Sequence, residues 1–105
     1  MITIITSTEN NLKAGFDLRF GRAEWFCVFN EETKTASFVE NEHKDANSGA
    51  GLKAAEKAYE LGAGKVISGD FGPKAKDLLE KFNIQMVILQ EENNSIEEIT
   101  NKIKS

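Results

Sequence analysis

Apolar positions along the chain gather in five short runs, and the stretches between and after the later runs carry helical spacing. Residues 2–6 (ITIIT) are β-branched throughout, as a strand prefers, with Thr3 and Thr6 as the polar positions. WFCVFN (25–30) and TASFVE (35–40) flank the polar tetrapeptide EETK, which predicts a hairpin. The first of these two is apolar on both faces and belongs inside a sheet. The second sets Ala36 and Phe38 against Ser37 and belongs at an edge. KVIS (65–68) and IQMVIL (84–89) supply the remaining strands, and Trp25, Cys27 and Phe29, sharing one face, are expected in the core.

Helical period is carried by three other stretches. Over about 50–61 the spacing places Leu52, Ala55, Tyr59 and Gly62 on one stripe and Lys53, Glu56, Lys57 and Glu60 outside it. Asn47 or Ser48 is expected to cap this helix, and Gly62 to close it in the left-handed conformation. Pro73 suits a first helical position, after which Ala75, Leu78, Leu79 and Phe82 recur at i, i+3, i+4 and i+7 until Asn83 stops the helix. Ser95 and Glu98 have the spacing of a capping box, opening a last helix with Ile96, Ile99 and Ile103 inward.

The order β-β-β-α-β-α-β-α, with a meander followed by right-handed crossovers, predicts a mixed five-stranded sheet in a three-layer α/β/α arrangement. The expected strand order is 3-2-1-4-5, with the second strand alone antiparallel. That topology would bring four distant segments to one rim: Arg19–Arg22 from the long connection 7–23, His43, Gly49–Gly51, and Gly69–Gly72. Ligands in such sheets collect where strands end and helix N-termini present unpaired N–H groups, so the rim suggests a small anionic ligand.

Composition narrows the classes of function. With 105 residues the chain is expected to form one domain over 1–105. A net charge of −4 without a basic block argues against binding a nucleic acid backbone. No apolar run nears the roughly 18 residues of a membrane span, and the N-terminus lacks the pattern of a signal peptide, so a cytoplasmic protein is expected. One cysteine and one histidine cannot build a tetrahedral Cys/His zinc site. Cys27 reads as a core thiol, and the only histidine would have to serve any nucleophile as base, so no enzyme is expected.

On the rim, Arg19 and Arg22 offer guanidinium forks suited to oxyanions and electron-rich sulfur, with Phe20 anchoring the loop between them. They could equally pair with Glu24 or Asp17. Gly49 and Gly51 allow close backbone approach but lack the GxGxxG and Walker patterns, and close helix packing explains them as well. Gly69 and Gly72 stand in the same position, Gly72 being a candidate cap that leaves the N–H groups of Lys74 and Ala75 available. His43 is a conceivable metal ligand or a solvated loop residue.

Arg19-Phe20-Gly21-Arg22-Ala23 before an aromatic strand, then Gly49-Ala50-Gly51-Leu52 and Gly69-Asp70-Phe71-Gly72-Pro73, resemble the dinitrogenase iron-molybdenum cofactor biosynthesis family over nearly the whole chain. The chain departs from the usual pattern at Glu24, where a proline commonly follows the Arg-Ala pair, and at the acidic Asp70. The resemblance implies a ribonuclease-H-like fold without a nuclease centre. It also implies a carrier or temporary store for iron-sulfur or molybdenum-iron-sulfur clusters, with proteins that donate or accept the cluster as partners. Carried over by position, it points to Arg19, Phe20, Gly21, Arg22, Gly49 and Gly51 as the cofactor-binding rim and to His43 as the one metal ligand. A cluster held by arginines and backbone N–H groups, with at most one covalent bond, could be handed on. Two other readings use the same residues differently: a binding module for a phosphorylated metabolite or nucleotide, and a regulatory domain acting through the edge strand TASFVE. A monomer or weak homodimer is expected.

Overall fold

In the computed structural model, which describes residues 1–91 and 93–104, five strands form one sheet in the order β3-β2-β1-β4-β5. The strands are β1 (Ile2–Ser7), β2 (Trp25–Asn30), β3 (Thr35–Glu40), β4 (Ala63–Ser68) and β5 (Gln85–Ile88), and the helices are α1 (Ala50–Glu60), α2 (Pro73–Lys81) and α3 (Ile96–Lys104). β2 runs antiparallel to both of its neighbours, and β1, β4 and β5 are mutually parallel. The expected order and the single reversed strand are both observed.

The pleat sorts the strand residues onto two faces. Ile4 pairs with Val66 and Val66 with Met86, and these side chains meet Ala54, Ala55 and Ala58 of α1 and Leu79 of α2. One position along, Ile5, Cys27 and Ile67 face Ile96 and Ile99 of α3, together with Ala14 and Phe16 from the 8–24 connection. Helices therefore cover both faces. The long connection is not a loose loop: Phe16 and Phe20 are buried, one on each side of the sheet.

Local signals decided most boundaries. Pro73 starts α2, Asn83 takes a left-handed φ of 58° just past it, and Gly62 does the same after α1 at 78°. The capping box closes reciprocally: the Ser95 N–H donates to Glu98 Oε1 at 2.9 Å and the Glu98 N–H to Ser95 Oγ at 3.1 Å. At α1, however, neither Asn47 nor Ser48 is the cap. Gly49 occupies that position at φ 77° with no side-chain hydrogen bond. The buried stripe of α1 keeps Ala55 from the expected set but otherwise runs through Ala50, Ala54 and Ala58, while Tyr59 lies 59% exposed. Trp25 is only half-buried, because its strand end reaches the rim.

One ion-pair cluster makes stability depend on pH. Fully buried Thr3 donates its hydroxyl to Glu31 Oε2, and Lys65 Nζ lies 3.8 Å from the same oxygen. The hydroxyl bond first, and the lysine charge after it, hold the Glu31 carboxyl below its ordinary range. A lowered carboxyl contributes stability that is complete above the unfolded value of about 4.3 and is lost as pH falls through the folded value. Glu31→Gln is therefore expected to be about 1 kcal/mol less stable than the parent at pH 7, with the gap closing below about pH 4. Urea titrations at pH 7 and pH 3.5 measure this, and an undiminished gap at the lower pH would contradict it.

Candidate functional site

The site is assembled by the chain segment that leaves β1 and crosses the strand ends. The Asp17 N–H donates to the Thr6 carbonyl at 3.0 Å, the Gly69 N–H donates to the Leu18 carbonyl at 3.1 Å, and Arg19 bridges in parallel to Asp70. Beneath this segment the Phe20 ring, 3% exposed, lies 5.1 Å from Phe71 and 6.4 Å from Phe26, centroid to centroid. Phe20 thus pins the backbone of residues 19–22 over the start of α1. Gly21 makes the approach possible, since a Cβ there would lie 2.8 Å from the Gly51 nitrogen and 3.0 Å from the Ala50 carbonyl carbon.

What results is an open recess of about 340 Å³ lined by Arg19, Phe20, Gly21, Arg22, Gly49, Ala50, Gly51, Asp70 and Gly72. An apolar hollow of similar size adjoins it, sharing Gly49, Gly51 and Gly72 and adding Leu52, Pro73, Lys74 and Ala75. Both α1 and α2 begin at the recess. Neither has a side-chain cap, and neither carries an acidic residue in its first turn. Their leading N–H groups and the positive ends of their dipoles are thus left without the usual protein compensation. A Cβ at Gly49 or Gly72 would meet nothing within 4 Å, so both positions are bare toward the open side.

The two arginines are held differently. Arg19 grips the buried Asp17 carboxylate through Nε at 3.1 Å and Nη2 at 2.9 Å, and its own N–H also donates to Asp17 Oδ1 at 2.9 Å. Those hydrogen bonds, with the attraction of the opposite charge, raise its pKa further. Arg22 has no carboxylate partner among the described residues. Its Nη1 donates to the carbonyls of Lys44 and Ala46, each at 2.7 Å. Glu24, the other carboxylate within reach by sequence, takes Lys44 instead at 3.1 Å.

Of the rim residues expected from sequence, Arg19, Phe20, Gly21, Arg22, Gly49, Gly51 and Gly72 do come together. Gly69 does not line the recess: it is buried against Leu18, whose Cα would sit 2.8 Å from a Cβ there. His43 is also elsewhere, exposed in a neighbouring groove with Glu40, Glu42, Lys53, Glu56, Lys57 and Glu60. Among the described residues no group of three or more His, Cys, Asp or Glu side chains is placed to hold a metal ion. Cys27 is fully buried in the sheet, where burial pushes its thiol up to about 12, so it offers no thiolate.

Two contributors carried little sequence signal. Asp17, 5% exposed, orients Arg19; the sequence offered it only as one of two carboxylates the arginines could pair with, and gave no sign of its burial. Asn41, 4% exposed, donates Nδ2 to the carbonyls of Gly21 and Ala23 at 2.9 Å each, locking the recess wall to the end of β3. An isolated asparagine between a strand and a loop gives no warning of such a contact.

The fold is that of a small α/β protein, and its family and a structural neighbour place it in the broad cofactor-binding or carrier class. The chain belongs to the family described as dinitrogenase iron-molybdenum cofactor, which it matches over residues 1–105. It is similar in structure to the apo form of the orange protein from Desulfovibrio gigas, at 29% identity and a TM-score of 0.89, covering 96% of this chain and 84% of that one. A NifB-like protein from Thermotoga shares the fold at 24% identity and a TM-score of 0.78, covering 95% and 84% of the two chains. Comparison with curated proteins gives no match. No helix among the described residues is long and apolar enough to cross a membrane.

Proposed function

We propose that the recess carries a preassembled anionic metallocluster, iron-sulfur or molybdenum-iron-sulfur, as cargo between a protein that donates it and one that accepts it. The observation that carries this reading is the convergence of two uncapped helix N-termini and two arginines on one bare-walled recess. Guanidinium and backbone N–H groups hold sulfide and oxide by charge-assisted hydrogen bonds, which form and break without bond-making at the metal. Cys27 is buried and His43 lies outside the recess, and no group of three or more His, Cys, Asp or Glu among the described residues is placed to hold a metal ion, so on this reading the cargo arrives already assembled. The family description names an iron-molybdenum cofactor, and the orange protein is described in an apo form, which supports a recess that takes up a cofactor.

Anaerobic titration with a soluble molybdenum-iron-sulfur or iron-sulfur cluster, read as metal and visible absorbance co-eluting with protein on gel filtration, tests the proposal. Wild-type protein is expected to retain the cluster stoichiometrically. Arg22→Ala should weaken retention by about tenfold or more, the effect of a lost charge-assisted hydrogen bond, and His43→Ala should leave it unchanged. Gly72→Ser provides a sharper discrimination. Serine is the better N-cap, so stability should rise by a few tenths of a kcal/mol, while the new side chain occupies the N–H groups of α2 and lowers cluster retention. Absence of metal from the wild-type protein peak overturns the proposal and directs the recess to phosphates and nucleotides.

A further inference from the structure

We infer that Arg22 couples occupancy of the recess to the order of the loop 42–48, so that loading the protein stiffens this loop. The inference rests on the carrier reading above and concerns how the same site signals that it is full. The loop is fixed at one end by buried Asn41 and at the other by Gly49, with its φ of 77°. Between those ends, two bonds from Arg22 Nη1 to the Lys44 and Ala46 carbonyls join it to the recess wall. The half-buried Lys44–Glu24 ion pair at 3.1 Å adds a second tie between the loop and the segment that carries Arg22. The other contacts are local to residues 41–46: the His43 N–H donates to Asn41 Oδ1 at 3.3 Å and the Lys44 N–H to the Asn41 carbonyl at 3.4 Å, the Ala46 N–H donates to the His43 carbonyl at 3.1 Å, and Lys44 Nζ lies 3.5 Å from Asp45 Oδ2.

Arg22 has a second working edge. A guanidinium is planar and rigid, and its Nε–Nη2 side grips an anion in two-point fashion. Arg19 uses that side on the Asp17 carboxylate in this same structure. In Arg22, Nε and Nη2 make no hydrogen bond among the described residues, although the side chain lines the recess. An anion taken by that edge fixes the plane of the group and with it the direction of Nη1, so the bonds to Lys44 and Ala46 fluctuate less. Linkage makes the effect reciprocal: whatever factor the cargo contributes to loop order, an ordered loop returns to cargo affinity. The loop, with Glu42, His43 and Asp45 exposed on it, is then the surface that distinguishes loaded from empty protein.

Trypsin cleavage measures the loop directly, because the Lys44–Asp45 bond lies between the two stapled carbonyls. Lys34–Thr35, in the β2–β3 turn at the opposite end of the sheet, serves as internal reference. With opening faster than cleavage, the rate follows the population of the opened loop. Relative to the reference, loading wild-type protein with the cluster is expected to slow cleavage at Lys44 by about tenfold, and Arg22→Gln in the free protein, which loses both bonds to the loop, to speed it by about tenfold or more. Arg22→Lys, which keeps the charge but loses the fork, should resemble Arg22→Gln. Unchanged cleavage in both variants overturns the staple. Cluster that co-elutes with wild-type protein without slowing cleavage at Lys44 overturns the coupling alone, leaving the carrier reading intact. If no cluster co-elutes, the carrier reading falls and the coupling with it.

Discussion

Phe20→Ala is expected to lower the unfolding free energy by about 3–5 kcal/mol, the range for removing a fully buried aromatic ring. The ring is 3% exposed, touches Phe71 and Phe26, and belongs to the cluster under α1 and α2 that contains Ile4, Val66 and Leu79. Its loss leaves a cavity directly below the segment that presents Arg19 and Arg22. Denaturant midpoints with an unchanged slope would measure the stability term. Cluster retention should fall in addition, measured under conditions where the variant stays folded, because both arginines lose their common anchor. A midpoint within experimental error of wild type would show that the ring is not the anchor described.

Gly21→Ala tests the close approach of the arginine segment to α1. The added methyl would stand 2.8 Å from the Gly51 nitrogen, 2.9 Å from its Cα and 3.0 Å from the Ala50 carbonyl carbon. All three are backbone atoms and cannot swing aside as a side chain would, so either the segment or the helix start must move. Overpacking of this kind costs about 1–3 kcal/mol. The displacement separates the arginines from the α1 N-terminus, so cluster retention should drop more than in Gly49→Ala, where the methyl meets open space but the left-handed φ is strained. Equal retention in the two variants would indicate that the spacing between the segment and α1 is unimportant to the recess.

The contrast with Gly72 explains why glycines at one rim have different physical roles. Gly21 and Gly69 are needed because another part of the chain lies against them, at Gly51 and at Leu18 respectively. Gly49 is needed for its backbone angle. Gly72 has an ordinary extended backbone and no neighbour, so its bareness has no internal explanation in packing or conformation. On the carrier reading, that bare position is where cargo comes closest to α2.

Sequence by itself determined the order of elements, the strand order, the helix stops at Gly62 and Asn83, the capping box at Ser95 and the meeting of most rim residues. Each follows from signals contained within a few neighbouring residues, or from the handedness of crossovers, which needs no side-chain detail. The buried stripe of α1 was legible only at Ala55. Hydrophobicity favoured Leu52 and Tyr59, but Gly51 sits against Ala75 and only small residues fit between α1 and its neighbours. Tyr59 instead stacks on Phe82 at 4.3 Å at the surface. Only the tertiary structure decided which partner each charged group takes: Asp17 for Arg19, two loop carbonyls for Arg22, Lys44 for Glu24, and no place in the recess for His43. The physical reason is that local periodicity is written in adjacent residues, whereas a polar contact depends on ångström-scale distances between segments that only the assembled sheet and its loops establish.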